Sequence, residues 1–160
     1  MFRWFRNREE TIVAPLTGHV RLLEDVPDPV FAQKMMGDGL AIEPTDGIVV
    51  SPITGEVIQL FPTKHAIGLR SDRGVEILIH VGIDTVHMHG EGFEAYVKVG
   101  DRVRAGDLLL SFDLSLVQQK AKSYLTPMVI TNGDVVSECH REHTEKAERG
   151  STVLMRVKLK

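Results

Sequence analysis

The chain has 160 residues, with 19 Lys and Arg against 22 Asp and Glu, seven His and one Cys, and 42% of it is hydrophobic. That length fits one domain and supplies enough core to fold without a disulfide or structural metal. A net charge of −3 and a pI near 6.2 argue against a nucleic-acid binder, which carries a basic stripe and a pI above about 9.

The first ten residues, MFRWFRNREE, lack the apolar run of a secretory signal. They read as a flexible N-terminal segment, residues 1–10, ahead of a single domain over 11–160. The alternative is a peripheral membrane contact, with Phe2, Trp4 and Phe5 at the interface and Arg3, Arg6 and Arg8 on anionic headgroups. No stretch approaches the roughly 18 consecutive apolar residues of a membrane span. The lone Cys139 cannot form an internal disulfide and fits a cytoplasmic location.

From Thr11 onward, short β-branched runs alternate with Gly, Pro and Asp, the pattern of an all-β sandwich or barrel. Strands are expected over residues 11–13, 19–22, 39–42, 48–50, 55–60 and 66–70, then over 75–81, 93–97, 107–113, 128–131 and 152–157. Turns fall at Gly37-Asp38-Gly39, Asp46-Gly47, Asp72-Arg73-Gly74 and Asn132-Gly133-Asp134. A helical turn is expected over 30–34, after Pro27 and Pro29, and a helix over 114–123. Polar residues around His140 and His143 read as a solvated loop or frayed helix.

The chain repeats itself. Val13-Ala14-Pro15-Leu16-Thr17-Gly18-His19-Val20 matches Val50-Ser51-Pro52-Ile53-Thr54-Gly55-Glu56-Val57 through strand, turn and next strand, 37 residues apart. One supersecondary unit has been used twice. Two Gly-Asp turns, at Gly100-Asp101 and Gly106-Asp107, bracket alternating residues in a tight hammerhead of short strands.

His80 stands out among the histidines. In Val75-Glu76-Ile77-Leu78-Ile79-His80-Val81, a period of two sets the β-branched residues on the core face and His80 on the other, with Glu76 and Leu78. Gly82 lets the chain bend back, so that a carbonyl can accept from one ring nitrogen and leave the other as a nucleophile. A hairpin at Asp72-Arg73-Gly74 pairs residues whose numbers sum to about 145 or 146, which sets His65 almost opposite His80 across the ladder. Two facing imidazoles suit divalent metal binding or phosphoryl transfer through a phosphohistidine. No Gly-x-x-x-x-Gly-Lys-[Ser/Thr] loop is present, so phosphate would come from and leave to other proteins.

At these residues the sequence resembles the glucose-type enzyme IIA family of the bacterial phosphoenolpyruvate:sugar phosphotransferase system. The segments that carry the likeness are Ala14-Pro15-Leu16-Thr17-Gly18, Asp28-Pro29-Val30-Phe31-Ala32, Gly37-Asp38-Gly39-Leu40-Ala41-Ile42 and Thr63-Lys64-His65-Ala66. They continue with His80-Val81-Gly82-Ile83-Asp84-Thr85-Val86, Gly90-Glu91-Gly92-Phe93 and Leu125-Thr126-Pro127.

The resemblance implies an antiparallel β-sandwich with an internal duplication and a phosphotransferase role without a cofactor. The phosphocarrier protein HPr would phosphorylate His80, which would pass the group to a cysteine on the enzyme IIB unit of a sugar permease. His65 would assist transfer, oriented by Thr63. Asp28 and Asp84 match carboxylates that meet arginines on the partners, and Val30, Phe31, Phe61, Leu78 and Val86 resemble the apolar surface around the site. Dephosphorylated members also dock on regulatory protein targets, in some cases with zinc bridging the two histidines to a partner carboxylate.

The chain departs from the family pattern at His87-Met88-His89, which reads as a solvated strand edge. The rival reading is a zinc hydrolase of lysostaphin-like fold, built on His80-x-x-x-Asp84 and His87-x-His89. Only Thr85 and Val86 separate those two motifs, which normally lie far apart. A lipoyl-type carrier is disfavoured because no Lys sits at a hairpin tip as Met-Lys-Met or Asp-Lys-Ala.

Overall fold

Fourteen short strands, two α-helical segments and three 3-10 turns make up residues 9–160, the part of the chain that the computed structural model describes. The strands in chain order are β1 (Glu9–Val13), β2 (Gly18–Leu22), β3 (Asp38–Pro44), β4 (Ile48–Val50), β5 (Gly55–Leu60), β6 (Ala66–Ser71) and β7 (Glu76–His80). They continue with β8 (Phe93–Ala95), β9 (Arg102–Val103), β10 (Leu108–Phe112), β11 (Thr126–Ile130), β12 (Val136–Arg141), β13 (Lys146–Ala147) and β14 (Val153–Leu159). The helices are α1 (Pro29–Ala32) and α2 (Leu114–Lys120).

All pairing is antiparallel. One sheet has eight strands in the order β13-β2-β3-β11-β7-β6-β5-β9, and two sheets have three each, β1-β14-β12 and β4-β10-β8. The main core joins them: Leu40, Ile42, Ile67, Leu69, Ile77, Ile79 and Met128 of the large sheet pack with Ile12, Leu154 and Val157 of one small sheet and Val49, Leu110 and Phe112 of the other. The result is a β-sandwich.

Alternation sends the intervening residues of the large sheet to its other face. There Ala41, Ala66, Leu78 and Val129 form a second cluster with Leu23, Val26, Phe31 and Ile83 from the segments that cover it. His80 follows Leu78 on that outer face, where the cover stops.

The internal duplication is visible in the hydrogen bonds. Val13 N–H donates to the Pro52 carbonyl (3.0 Å), and its repeat mate Val50 donates to the Pro15 carbonyl (2.9 Å). Ala14 exchanges bonds with Thr152 and Gly150, and Ser51 does the same with Asp107 and Gly106. The hydroxyls of Thr17 and Thr54 accept from the amides of Arg149 and Ala105, each at 3.1 Å. Strands β13 and β9 then occupy matching places, against Gly18 and Gly55. At both glycines a Cβ would lie within 2.1 Å of a carbonyl oxygen, that of Glu43 or Arg70, so no side chain fits there.

Strand β1 starts at Glu9, so residues 9 and 10 of the expected flexible segment belong to the sheet; residues 1–8 lie outside the described residues. The stretch expected as a loop or frayed helix near His140 is in fact an edge strand, β12, paired with β14. Its polar residues face solvent along its length, so no apolar period betrayed it. Helix α2 ends at Lys120 instead of reaching 123, because Ser123 bridges to Ile83. Among the described residues no helix is long and apolar enough to cross a membrane.

Candidate functional site

His80 closes β7 and the loop after it bends back under the ring. The Nδ1 atom of His80 lies 2.8 Å from the carbonyl oxygen of Gly82. A carbonyl can only accept, so Nδ1 carries the proton and Nε2 keeps its lone pair. The bend needs glycine: Gly82 has φ +68°, and a Cβ there would meet the Ser123 carbonyl oxygen and the Thr85 methyl at 2.8 Å each.

This loop is pinned on several sides. Ile83 N–H donates to the Ser123 carbonyl (2.9 Å), and Lys122 N–H donates to the Ile83 carbonyl (3.1 Å). The buried Thr85 hydroxyl donates to the Val81 carbonyl (2.6 Å), and the Thr126 hydroxyl accepts from Gly82 N–H (3.4 Å). The Gly82 carbonyl is therefore a fixed acceptor, and the imidazole orientation is set before any partner arrives.

His65 reaches the same place by a different route from the expected one. The ladder pairs Ala66, not His65, with His80, and the Val81 amide donates to the His65 carbonyl (2.7 Å). Strict alternation would send His65 to the core face. Instead β6 begins at Ala66, and the preceding residues form a turn in which Lys64 N–H donates to the Phe61 carbonyl, with Lys64 at φ +59°. Freed from the pleat, the His65 ring lies 4.9 Å from that of His80, edge to face at 78°. The Thr63 hydroxyl meets Nδ1 of His65 at 2.5 Å.

Two phenylalanines complete a row of four rings: Phe31 lies 5.1 Å from His80, and Phe61 lies 5.3 Å from His65. Such apolar surroundings disfavour a charged imidazole. Burial pushes His65 down to about 4, helped by the neighbouring His80. Burial also lowers His80, opposed by its bond to the Gly82 carbonyl and by the carboxylates of Asp28 and Asp84. Both rings are neutral at pH 7.

Asp28 caps α1 by accepting from Val30 N–H (2.9 Å) and is half-buried, whereas Asp84 is exposed in a left-handed conformation at φ +62°. Left-handed residues are uncommon outside glycine, and Lys64, Gly82 and Asp84 place three positive φ values in the two loops that carry the imidazoles. Of the expected apolar surface, Val30 and Val86 are exposed and Phe61 is half-buried. Phe31 and Leu78 are not surface residues: at 5% and 6% exposure they are buried together in the second cluster, where the Phe31 ring packs against that of His80.

The loop after α1 adds two exposed residues that the sequence reading passed over, Met35 and Met36. Thr85, Ser123 and Thr126 were also passed over as supports; only the fold brings 123–126 to Gly82, although Thr85 could have been suspected from its place beside Asp84. His87 lies in a 3-10 turn and His89 just after it, so the expected strand edge is absent. Among the described residues no group of three or more His, Cys, Asp or Glu is placed to hold a metal ion, so the zinc-hydrolase reading finds no support there.

A sandwich with a duplicated half and a half-buried imidazole apposed to a buried one, both neutral, is a distinctive combination, and comparison with known proteins places it. The family model for the phosphoenolpyruvate-dependent sugar phosphotransferase system, EIIA 1, matches residues 10–136. The chain is 59% identical over 155 residues to the PTS system glucose-specific EIIA component of Bacillus cereus, covering 97% of this chain and 94% of that one. It is 53% identical over 152 residues to the protein of the same name from Halalkalibacterium halodurans, covering 95% and 88%. Among solved structures, glucose permease IIA from Mycoplasma capricolum superposes with a TM-score of 0.85 at 36% identity, covering 96% of this chain and 98% of that one. The chain belongs to the EIIA 1 family of the phosphoenolpyruvate-dependent sugar phosphotransferase system.

Proposed function

We propose that this protein is a cytoplasmic phosphoryl carrier serving a glucose permease, with Nε2 of His80 as the atom that carries the group. The observation that supports this most is the bond from His80 Nδ1–H to the Gly82 carbonyl, which leaves the lone pair on Nε2. The donor is phospho-HPr and the acceptor is a cysteine of the enzyme IIB unit. In the first step the bond from phosphorus to the donor breaks as the bond to Nε2 forms. In the second, the acceptor's thiolate sulfur forms its bond to phosphorus, and the electron pair of the breaking bond returns to Nε2. Nδ1 keeps its proton throughout.

His65 steadies the group in transit. Its Nε2–H donates to a phosphoryl oxygen when the Thr63 hydroxyl donates to Nδ1, a role that requires the contact present between those atoms. A neutral donor suits a relay, because a cation would hold the phosphoryl dianion more strongly and slow its departure. Asp28 and Asp84 repel that dianion and present carboxylates to partner arginines. Val30, Phe61 and Val86, backed by Phe31 and Leu78, exclude water when a partner docks, which strengthens the remaining polar contacts.

Reconstitution with phosphoenolpyruvate, enzyme I, HPr and membranes bearing a glucose permease that lacks its own A unit tests this reading. We expect sugar phosphorylation with the intact protein and none with His80→Ala. His65→Ala should still take up label from phospho-HPr yet fail in onward transfer. Full sugar phosphorylation by His80→Ala would refute the assignment.

A further inference from the structure

Five methionines lie among the described residues, and their exposure divides sharply. Met35 and Met36 are 69% and 40% exposed, whereas Met88 is 6% exposed and Met128 and Met155 are fully buried. The exposed pair follows α1, the helix whose Phe31 ring packs 5.1 Å from His80. Met35 N–H donates to the carbonyl of Val30 (3.0 Å), so Met35 belongs to one compact turn with another exposed apolar residue of the docking rim. Lys34, just before the pair, is held left-handed at φ +60° and ion-pairs with Asp38 at 3.5 Å, which fixes the course of the turn.

We propose that Met35 and Met36 are a reversible oxidation site through which peroxide weakens partner docking. The inference rests on the reading of this face as the place where the phosphoryl donor and acceptor dock. The thioether sulfur attacks one oxygen of hydrogen peroxide, the S–O bond forms as the O–O bond breaks, and a proton shift releases water. Sulfur loses two electrons and peroxide gains them. The product is a sulfoxide, polar where an apolar partner surface must settle, and thiol-dependent reductases can restore it. Burying that added dipole without a matching donor opposes docking, while the imidazoles, lying outside the altered turn, keep their chemistry. The effect therefore falls on KM for the protein donor and leaves kcat near its starting value.

The test treats the full chain with hydrogen peroxide at neutral pH and maps oxygen addition by peptide mass spectrometry. We expect Met35 and Met36 to be oxidised ahead of Met88, Met128 and Met155. Acceptance of phosphate from phospho-HPr should then show a KM raised about tenfold, with an unchanged melting transition. The Met35→Leu/Met36→Leu protein keeps Met1 and Cys139, so it controls for oxidation elsewhere; whatever KM it starts from, peroxide should leave that KM unchanged. An unchanged KM after oxidation of the pair, protection of the pair from peroxide, or equal sensitivity in the double leucine variant would overturn the inference and leave the phosphoryl-carrier reading intact. Failure of the untreated protein to accept phosphate would overturn both.

Discussion

A single carbonyl decides which nitrogen of His80 is available. Because Gly82 accepts from Nδ1, only Nε2 keeps a lone pair for the proposed chemistry, and because burial lowers both imidazoles, that nitrogen is unprotonated at neutral pH. Acceptance of phosphate should therefore decline as pH falls below the ordinary histidine value of 6.5, measured as initial labelling rate against pH. His65 adds a stability signature. In the unfolded chain it titrates near 6.5, in the folded protein at about 4, so the unfolded state binds more protons between those values. Stability should be fully present above pH 6.5 and fall as pH drops toward 4. Urea midpoints at pH 7 and pH 5 should diverge more in the native protein than in His65→Gln. The candidacy of His80 and a backbone acceptor at Gly82 were both legible in the run Val75–Gly82, since alternation and one glycine suffice to suggest them. The position of His65 was legible only by approximation: the turn fixes a register that pairs Ala66 with His80, and the left-handed Lys64 is what restores the meeting of the rings.

The loop that follows β7 acts as a clamp, and its test lies at Gly82. A Cβ there meets the Ser123 carbonyl oxygen and the Thr85 methyl at 2.8 Å, and φ is +68°. Left-handed backbone alone costs a non-glycine residue about 1–2 kcal/mol. We expect Gly82→Ala to lower stability by at least that much in chemical denaturation, and to reduce labelling of the molecules that remain folded by moving the carbonyl under His80. A variant with native labelling would show that the clamp does not set the ring. The clamp's bonds from Ser123 and Thr126 could not be read from sequence, because those residues reach Gly82 from the other side of α2. At the start of β1, Glu10 has the opposite character. It is buried, its Oε1 has no hydrogen-bond partner among the described residues, and its Oε2 lies 3.6 Å from Arg73. Burial raises its pKa despite a bond from Ser71 and the charge of Arg73. A carboxyl raised in the folded state loses stability as pH rises past its unfolded value of 4.5. Glu10→Gln should accordingly be more stable than the native protein at pH 7, by thermal melting, and lose that advantage below pH 4.5.

At the scale of the whole molecule, duplication explains why so much of the fold was visible in the sequence. The repeated Pro-x-Thr-Gly segments stand face to face through reciprocal bonds, Val13 to Pro52 and Val50 to Pro15. Their glycines make equivalent close approaches, so Gly18→Ala and Gly55→Ala should each destabilise by about 3 kcal/mol or more in urea unfolding, through the same collision with a carbonyl oxygen. Strands β12 and β13 escaped notice because one has polar residues facing solvent throughout and the other has two residues only. The duplicated sandwich gives the large sheet two faces with different duties: one is core, and the other carries Leu78 and His80 beneath and beside a partial cover. An imidazole there is rigidly held yet partly exposed, which is what the proposed relay between proteins requires. The claim is tested most directly by phosphorylating the protein with phosphoenolpyruvate, enzyme I and HPr, locating the acid-labile phosphate by mass spectrometry, and assigning the substituted nitrogen by NMR. We expect a single phosphoryl group on Nε2 of His80, absent in His80→Ala; phosphate on His65, or on Nδ1 of His80, would contradict the account.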